Sequence, residues 1–264
     1  MNSLPSKLRN SLFGFAAVVI LNGCAQDYSM VPLAGGEKLK IGIKMPEGLE
    51  AKPLRVMYRS AICQRVSHDS NGKPQMLSGN KGYETSFKQR GATNLYEAEL
   101  FINGGGRCEW QLSNIIFGVK YRIPSRFGSN VTNGTGGTVI VRLDDNVAQF
   151  STGWESTVAG VDLKIVEDYY PWVSEKFIDG YAKRAGLSSE GGGYISYKAP
   201  QAREIYFEPL LHSRYVVTSI SPMKHAIGDF MRFHYPDGTT ESDGKSKPNF
   251  EKLQEIRLKA EVKK

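Results

Sequence analysis

Alternation of apolar and polar residues runs through most of the chain. Leu39, Ile41, Ile43 and Met45 alternate with Lys38, Lys40, Gly42 and Lys44, a period of two that predicts a strand with one buried face. Tyr96, Ala98, Leu100 and Ile102 repeat the pattern against Glu97 and Glu99. Cys108, Trp110 and Leu112 start a third run, and Ile115, Phe117, Val119 and Tyr121 continue it with the phase shifted near Asn114, which predicts a β-bulge there. Residues 139–143, 161–166, 205–207, 215–220 and 230–235 are further strand candidates, rich in β-branched and aromatic side chains. The pattern predicts a mainly β fold with antiparallel, sandwich-like sheets in one or two β-rich lobes.

Helical spacing is rare. Val173, Phe177 and Tyr181 fall at i, i+4 and i+8, with Pro171 just before and Gly186 after, so residues 172–185 read as the one helix. At the end of the chain Phe250, Leu253 and Ile256 are spaced by three. Ile256, Leu258, Ala260 and Val262, however, alternate with Arg257, Lys259, Glu261 and Lys263, and that stretch reads as a terminal strand. Residues 124–137, with four Gly and two Asn, form a long loop or lobe boundary. The expected order is a β lobe over residues 39–123, this loop, and a second β lobe over residues 138–264.

The first residues change the picture. Lys7 and Arg9 precede an uncharged run of ten residues at positions 12–21, too short to span a bilayer, and Leu21-Asn22-Gly23-Cys24 follows. Residues 1–23 therefore read as a signal peptide. The LNGC string resembles a bacterial lipobox, with Asn22 departing from the usual small or β-branched residue. The resemblance implies a lipidated Cys24 as the mature N-terminus. Ala25, rather than Asp, after the Cys implies the outer membrane, facing the periplasm. Residues 24–38, with Pro32, Gly35 and Gly36, then form a flexible tether. An internal start at Met30 would omit the leader and Cys24, giving a minor cytosolic form with every predicted strand retained.

Export gives the cysteines their meaning. With Cys24 lipidated, Cys63 and Cys108 remain, and an oxidising compartment allows one intramolecular pairing, Cys63–Cys108. The 34 basic and 27 acidic residues give a formal charge of +7; loss of Lys7 and Arg9 with the leader leaves +5, a mild bias over a long chain. This gives no reason to invoke nucleic acid, and the membrane enters only through the N-terminal lipid.

Catalytic patterns are weak. Residues 186–191 miss a GxSxG elbow by one position, and Gly244-Lys245-Ser246 has Thr239 where a phosphate loop needs its first Gly. The four His residues never form HxxxH, so no metal or other cofactor is expected. The acidic pairs Asp144-Asp145 and Glu167-Asp168 read as strand-end acids, and His68-Asp69 with Asn71-Gly72-Lys73 reads as a turn. The chain is not expected to be an enzyme. Tyr169, Tyr170 and Trp172 are the candidate anchors of a partner surface, with Arg126 on its rim, because exposed Tyr and Trp commonly anchor interfaces; the alternative is a core aromatic cluster covering the start of the expected helix.

The leader ending in LNGC, the mature length, and the Cys63 strand followed by GGGRCEWQLSNIIFGVKY resemble immunity lipoproteins that accompany type VI secreted lipase effectors. The likeness covers the overall plan and roughly residues 63–121. It implies a lipoprotein that binds its cognate lipase effector and neutralises it in the periplasm. The alternative is a structural or assembly lipoprotein of a secretion or envelope complex.

Overall fold

The computed structural model describes residues 27–146, 155–224 and 226–262; residues 1–26, and with them the leader and Cys24, lie outside the described residues. In chain order the first strands are β1 (Lys38–Lys44), β2 (Leu49–Ala51), β3 (Leu54–His68), β4 (Pro74–Thr85), β5 (Lys88–Gln89), β6 (Leu95–Phe101), β7 (Asn103–Gly105) and β8 (Trp110–Tyr121). A 3-10 turn, Pro124–Phe127, leads to β9 (Val131–Asn133), β10 (Thr138–Arg142), β11 (Ser156–Thr157), β12 (Asp162–Lys176), β13 (Ala182–Ser188) and β14 (Tyr194–Lys198). The chain ends in β15 (Glu204–Leu211), β16 (Val217–Ile220), β17 (Arg232–His234), β18 (Thr240–Glu241) and a helix, α1 (Phe250–Val262).

Among the described residues the fold is mainly β with two sheets and one helix, in a sandwich-like arrangement. One sheet runs β18-β17-β16-β12-β15-β1-β6-β5, with β13 paired to β12 and β9 to β13; the other runs β11-β14-β10-β8-β3-β4, with β2 and β7 on β8. Both are mixed rather than purely antiparallel. β15 lies parallel between β1 and β12, and β14 is parallel to β10. Leu39, Ile41 and Ile43 of β1 share one core with Val56, Ile115, Phe117 and Val139 of the other sheet, and the rings of Phe117 and Phe207 meet edge to face at 6.0 Å. β1 and β6 thus sit in the same sheet as β12 and β15, and the two halves of the sequence do not fold as successive lobes. The bulge expected in β8 is present: Met57 faces Asn114 and Tyr58 faces Leu112, leaving Ser113 extra.

Three expected elements differ. Residues 172–185 are not a helix. β12 continues through Trp172 and Val173 to Lys176, turns at Asp179-Gly180, both with positive φ, and returns as β13, with Val173 opposite Ala185. Phe177 and Tyr181 do meet, at 5.5 Å, but across that turn rather than along a helix face. Pro171 marks the point where β12 leaves β15 at Tyr169 and takes up β16 at Trp172, so its missing N–H leaves no rung of that side unmade. The terminal strand is instead α1. Lys252 N donates to Asn249 Oδ1, which caps a stretch rich in Leu, Glu, Gln, Lys and Arg, and Leu253 is fully buried against Tyr170, Val217 and Phe233. The loop at residues 124–137 contains β9, which pairs in parallel with β13.

The tether also differs from a free spacer from Asp27 onward. Val31 N donates to Gly104 O, and Tyr28 O accepts from Trp110 Nε1 at 3.2 Å and from Lys81 Nζ at 2.7 Å. Cys63 and Cys108 are joined, with Cα atoms 5.2 Å apart, closing a separation of 45 residues.

Candidate functional site

A double cleft opens along β14 and the turn before it. One hollow, of about 610 Å³, is lined by Glu155, Glu167, Glu190, Ser196 and Tyr194 among others; the adjoining one, of about 430 Å³, is lined by Lys52, Lys176, Trp172 and Ser188. Tyr194 and Lys247 border both. The acidic and the basic hollow therefore meet at one shared wall.

The basic side is built by a close backbone approach. Gly136 has φ +100, and a Cβ there would fall 1.8 Å from Leu187 O, so only Gly lets the β9–β10 connection lie against β13. This places Gly136 O and Thr138 Oγ1 each 2.7 Å from Lys52 Nζ, and both accept from it. Among the described residues Lys52 has neutral acceptors and no carboxylate partner. Burial, with a further push from Lys120, brings its amine down from 10.5 to about 8.

The acidic side carries groups that are enclosed and incompletely bonded. Burial pushes the Glu167 carboxyl above the ordinary carboxylate range, and the Glu190 carboxylate pushes the same way. Glu167 Oε1 and the Oγ of Ser196, a residue 7% exposed, are buried without a hydrogen-bond partner among the described residues. Glu155 is already committed, since both its oxygens accept from Arg142, at 3.0 and 2.5 Å.

Among the described residues that line the cleft none is His or Cys, so no imidazole stands beside its serines there. The two acidic pairs are dispersed. Asp145 accepts from Lys198, Asp144 from Asn146, and Asp168 turns away from Glu167 toward α1. Among the described residues no group of three His, Cys, Asp or Glu converges to hold a metal.

The expected anchors have other roles. Tyr169 and Tyr170 are buried, at 1% and 0% exposure, so neither can anchor a partner; Tyr169 faces the core between the sheets and Tyr170 the opposite side of β12, under α1. Tyr170 stacks on His212 at 5.0 Å, and its hydroxyl joins Gln254 and Arg257 of α1, each at 2.9 Å. His212 Nε2 and Asp168 Oδ1 are 2.5 Å apart, and Gln254 Nε2 donates to Asp168 Oδ2 at 2.7 Å. This network seats α1 on the sheet. Trp172 is half-buried, donates to Ser219 Oγ at 2.8 Å, and is the one candidate that lines the cleft. Arg126 is exposed but belongs to a separate groove with Glu47, Arg122 and Ile123, its guanidinium 5.2 Å from the Phe127 ring centre.

Sequence reasoning missed Lys52, Ser196 and Lys247. No local signal marks a lysine that becomes enclosed only when β9, β10 and β13 close over it. Glu167 was read as a turn acid because its neighbour Asp168 hid the fact that successive strand residues face opposite ways. No family model, no curated protein and no solved structure matches the chain.

Proposed function

We propose that this protein is a lipid-anchored, periplasm-facing immunity protein that binds a secreted antibacterial lipase and neutralises it by occlusion, with the double cleft receiving a loop of the toxin. The observation that supports this reading is the cleft itself. It holds charges of both signs at fixed, partly desolvated positions. Fixed charges of both signs favour a partner of complementary charge and reject one that lacks it, which is how specificity arises. A standard interface needs about 800 Å² on each side, more than the cleft lining offers, so the flanking turns also take part. Tyr194, 41% exposed at the shared wall, is the central aromatic contact.

The test is protection. Cells producing the cognate lipase in the periplasm survive when this protein is co-expressed with its leader, and lose protection when Cys24→Ala misplaces it. Glu167→Lys with Lys52→Glu weakens binding of the purified pair by about a hundredfold or more, which corresponds to about 3 kcal/mol. A toxin that remains lethal beside correctly exported wild-type protein overturns the proposal; unchanged affinity in the double variant overturns the cleft as its site.

A further inference from the structure

The β3–β4 hairpin extends past its sheet. β3 pairs with β8 only from Arg55 to Arg59, while β3 and β4 stay paired with each other out to His68 and Pro74. The hairpin beyond Cys63 therefore projects roughly 20 Å on two strands alone. Its faces are open: residues 64–66 and 68–76 are exposed. Ile62, Val66 and Met76 stand 57%, 59% and 57% exposed, and Val66 and Met76 are directly opposed on one face.

The base of this hairpin is rigid. The Cys63–Cys108 disulfide ties it to the segment before β8, and Gly79 lies so close beneath Cys63 that a Cβ there would fall 2.0 Å from Cys63 O. At the tip, Asp69 Oδ1 accepts from the backbone N–H of Asn71 and of Lys73, both at 2.9 Å. A two-stranded ribbon with bare apolar side chains is not a stable unit in water by itself, yet here it is locked in place.

The described chain also begins beside it. Asp27 O lies 3.9 Å from Cys108 Sγ, and Tyr28 O is held by Trp110 and by Lys81 of β4. Cys24 is three residues upstream, a distance of at most about 11 Å. Between Arg59 and Lys81 the sequence carries four basic residues, Arg59, Arg65, Lys73 and Lys81, against the single acid Asp69.

We propose that the hairpin of β3 and β4 rests on the anionic phospholipid surface to which the N-terminal lipid is anchored, with Val66, Met76 and Ile62 in the acyl boundary and Arg65 and Lys73 among the head groups. The lipidated Cys would hold the chain at the membrane, and apolar side chains with a basic patch beside that anchor hold the domain itself against the surface. The docking fixes the orientation of the domain. It leaves the cleft at β14 three strand intervals from β3, about 15 Å further from the hairpin across the sheet. The inference rests on the lipoprotein reading.

The test uses the full lipidated chain, extracted from the envelope and reconstituted into vesicles of phosphatidylethanolamine and phosphatidylglycerol with brominated acyl chains. Met76→Trp is expected to lose about half or more of its added fluorescence, as an indole within the acyl boundary would. Tyr194→Trp, in the cleft, is expected to lose none, and Arg65→Glu with Lys73→Glu in the Met76→Trp background is expected to restore the signal. A chain that incorporates palmitate but leaves Met76→Trp unquenched overturns the docking alone. A chain that takes up no palmitate overturns the lipoprotein reading and the docking with it. Emission from Met76→Trp that changes only when the toxin or a second copy is added assigns this face to a protein and likewise overturns the membrane inference.

Discussion

Lys52 gives a quantitative handle on the cleft. Its amine is enclosed by the β9–β10 connection, donates to Gly136 O and Thr138 Oγ1, and is held at about 8 instead of 10.5 because burial disfavours the charged form. Each tenfold change in proton affinity is about 1.4 kcal/mol, so keeping this group protonated in the folded protein costs about 3 kcal/mol at neutral pH. Between pH 8 and 10.5 the unfolded chain still binds the proton while the folded one has released it. Stability contributed by this residue therefore rises with pH over that window. Lys52→Met removes the dependence. At pH 7 the variant escapes the charge burial but leaves Gly136 O without its donor, a loss of about 1–3 kcal/mol, so the two effects nearly cancel there. The informative measurement is urea unfolding at pH 7.5 and at pH 10, disulfide intact, for wild type and Lys52→Met. Groups common to both chains drop out of the difference. Wild type should gain about 2–3 kcal/mol over the variant between the two pH values. Equal pH dependence in the two proteins would refute the enclosure of Lys52 and, with it, the desolvated basic half of the cleft.

Three further outcomes are expected. Replacing both Cys63 and Cys108 by Ala should lower unfolding stability by about 4 kcal/mol, the chain-entropy value for closing 45 residues, and native exported protein should present no alkylatable thiol at either position. Asp168→Asn should loosen α1, seen as faster hydrogen exchange over residues 250–262. Burial works against the Asp168 charge, but hydrogen bonds from His212 and Gln254 and the nearby Arg257 outweigh it and hold the carboxyl below its usual value. The stabilisation is thus present above about pH 4 and lost as pH falls through the folded value, and the variant should show a weaker acid destabilisation. A form starting at Met30 lacks the Tyr28 O contacts with Trp110 and Lys81 but retains the Val31–Gly104 hydrogen bond, so it should fold; immunoblotting should give a smaller soluble band that disappears in Met30→Ala.

What the sequence by itself determined is local and periodic. Alternation located β1, β6, β8 and β10 to within a residue or so, and the slip near Asn114 located the bulge, because strand faces follow a period of two whatever the partner strand is. With Cys24 set aside as the expected lipidation site, the two remaining cysteines defined one pairing. Where two periods fit, the sequence was ambiguous. Val173, Phe177 and Tyr181 satisfy a helix and also a hairpin with a turn at Asp179-Gly180, and β16, some 40 residues later, supplied the hydrogen bonds that made β12 a strand. At residues 256–262 no strand lies alongside, and a chain rich in helix-favouring side chains became α1. Tertiary structure alone decided the site. Tyr169 and Tyr170 became core because β12 runs through the middle of a sheet, and Lys52 and Glu167 became enclosed because strands distant in sequence closed over them. Burial and its electrostatic consequences depend on which distant groups displace water, and residue spacing along the chain does not encode that.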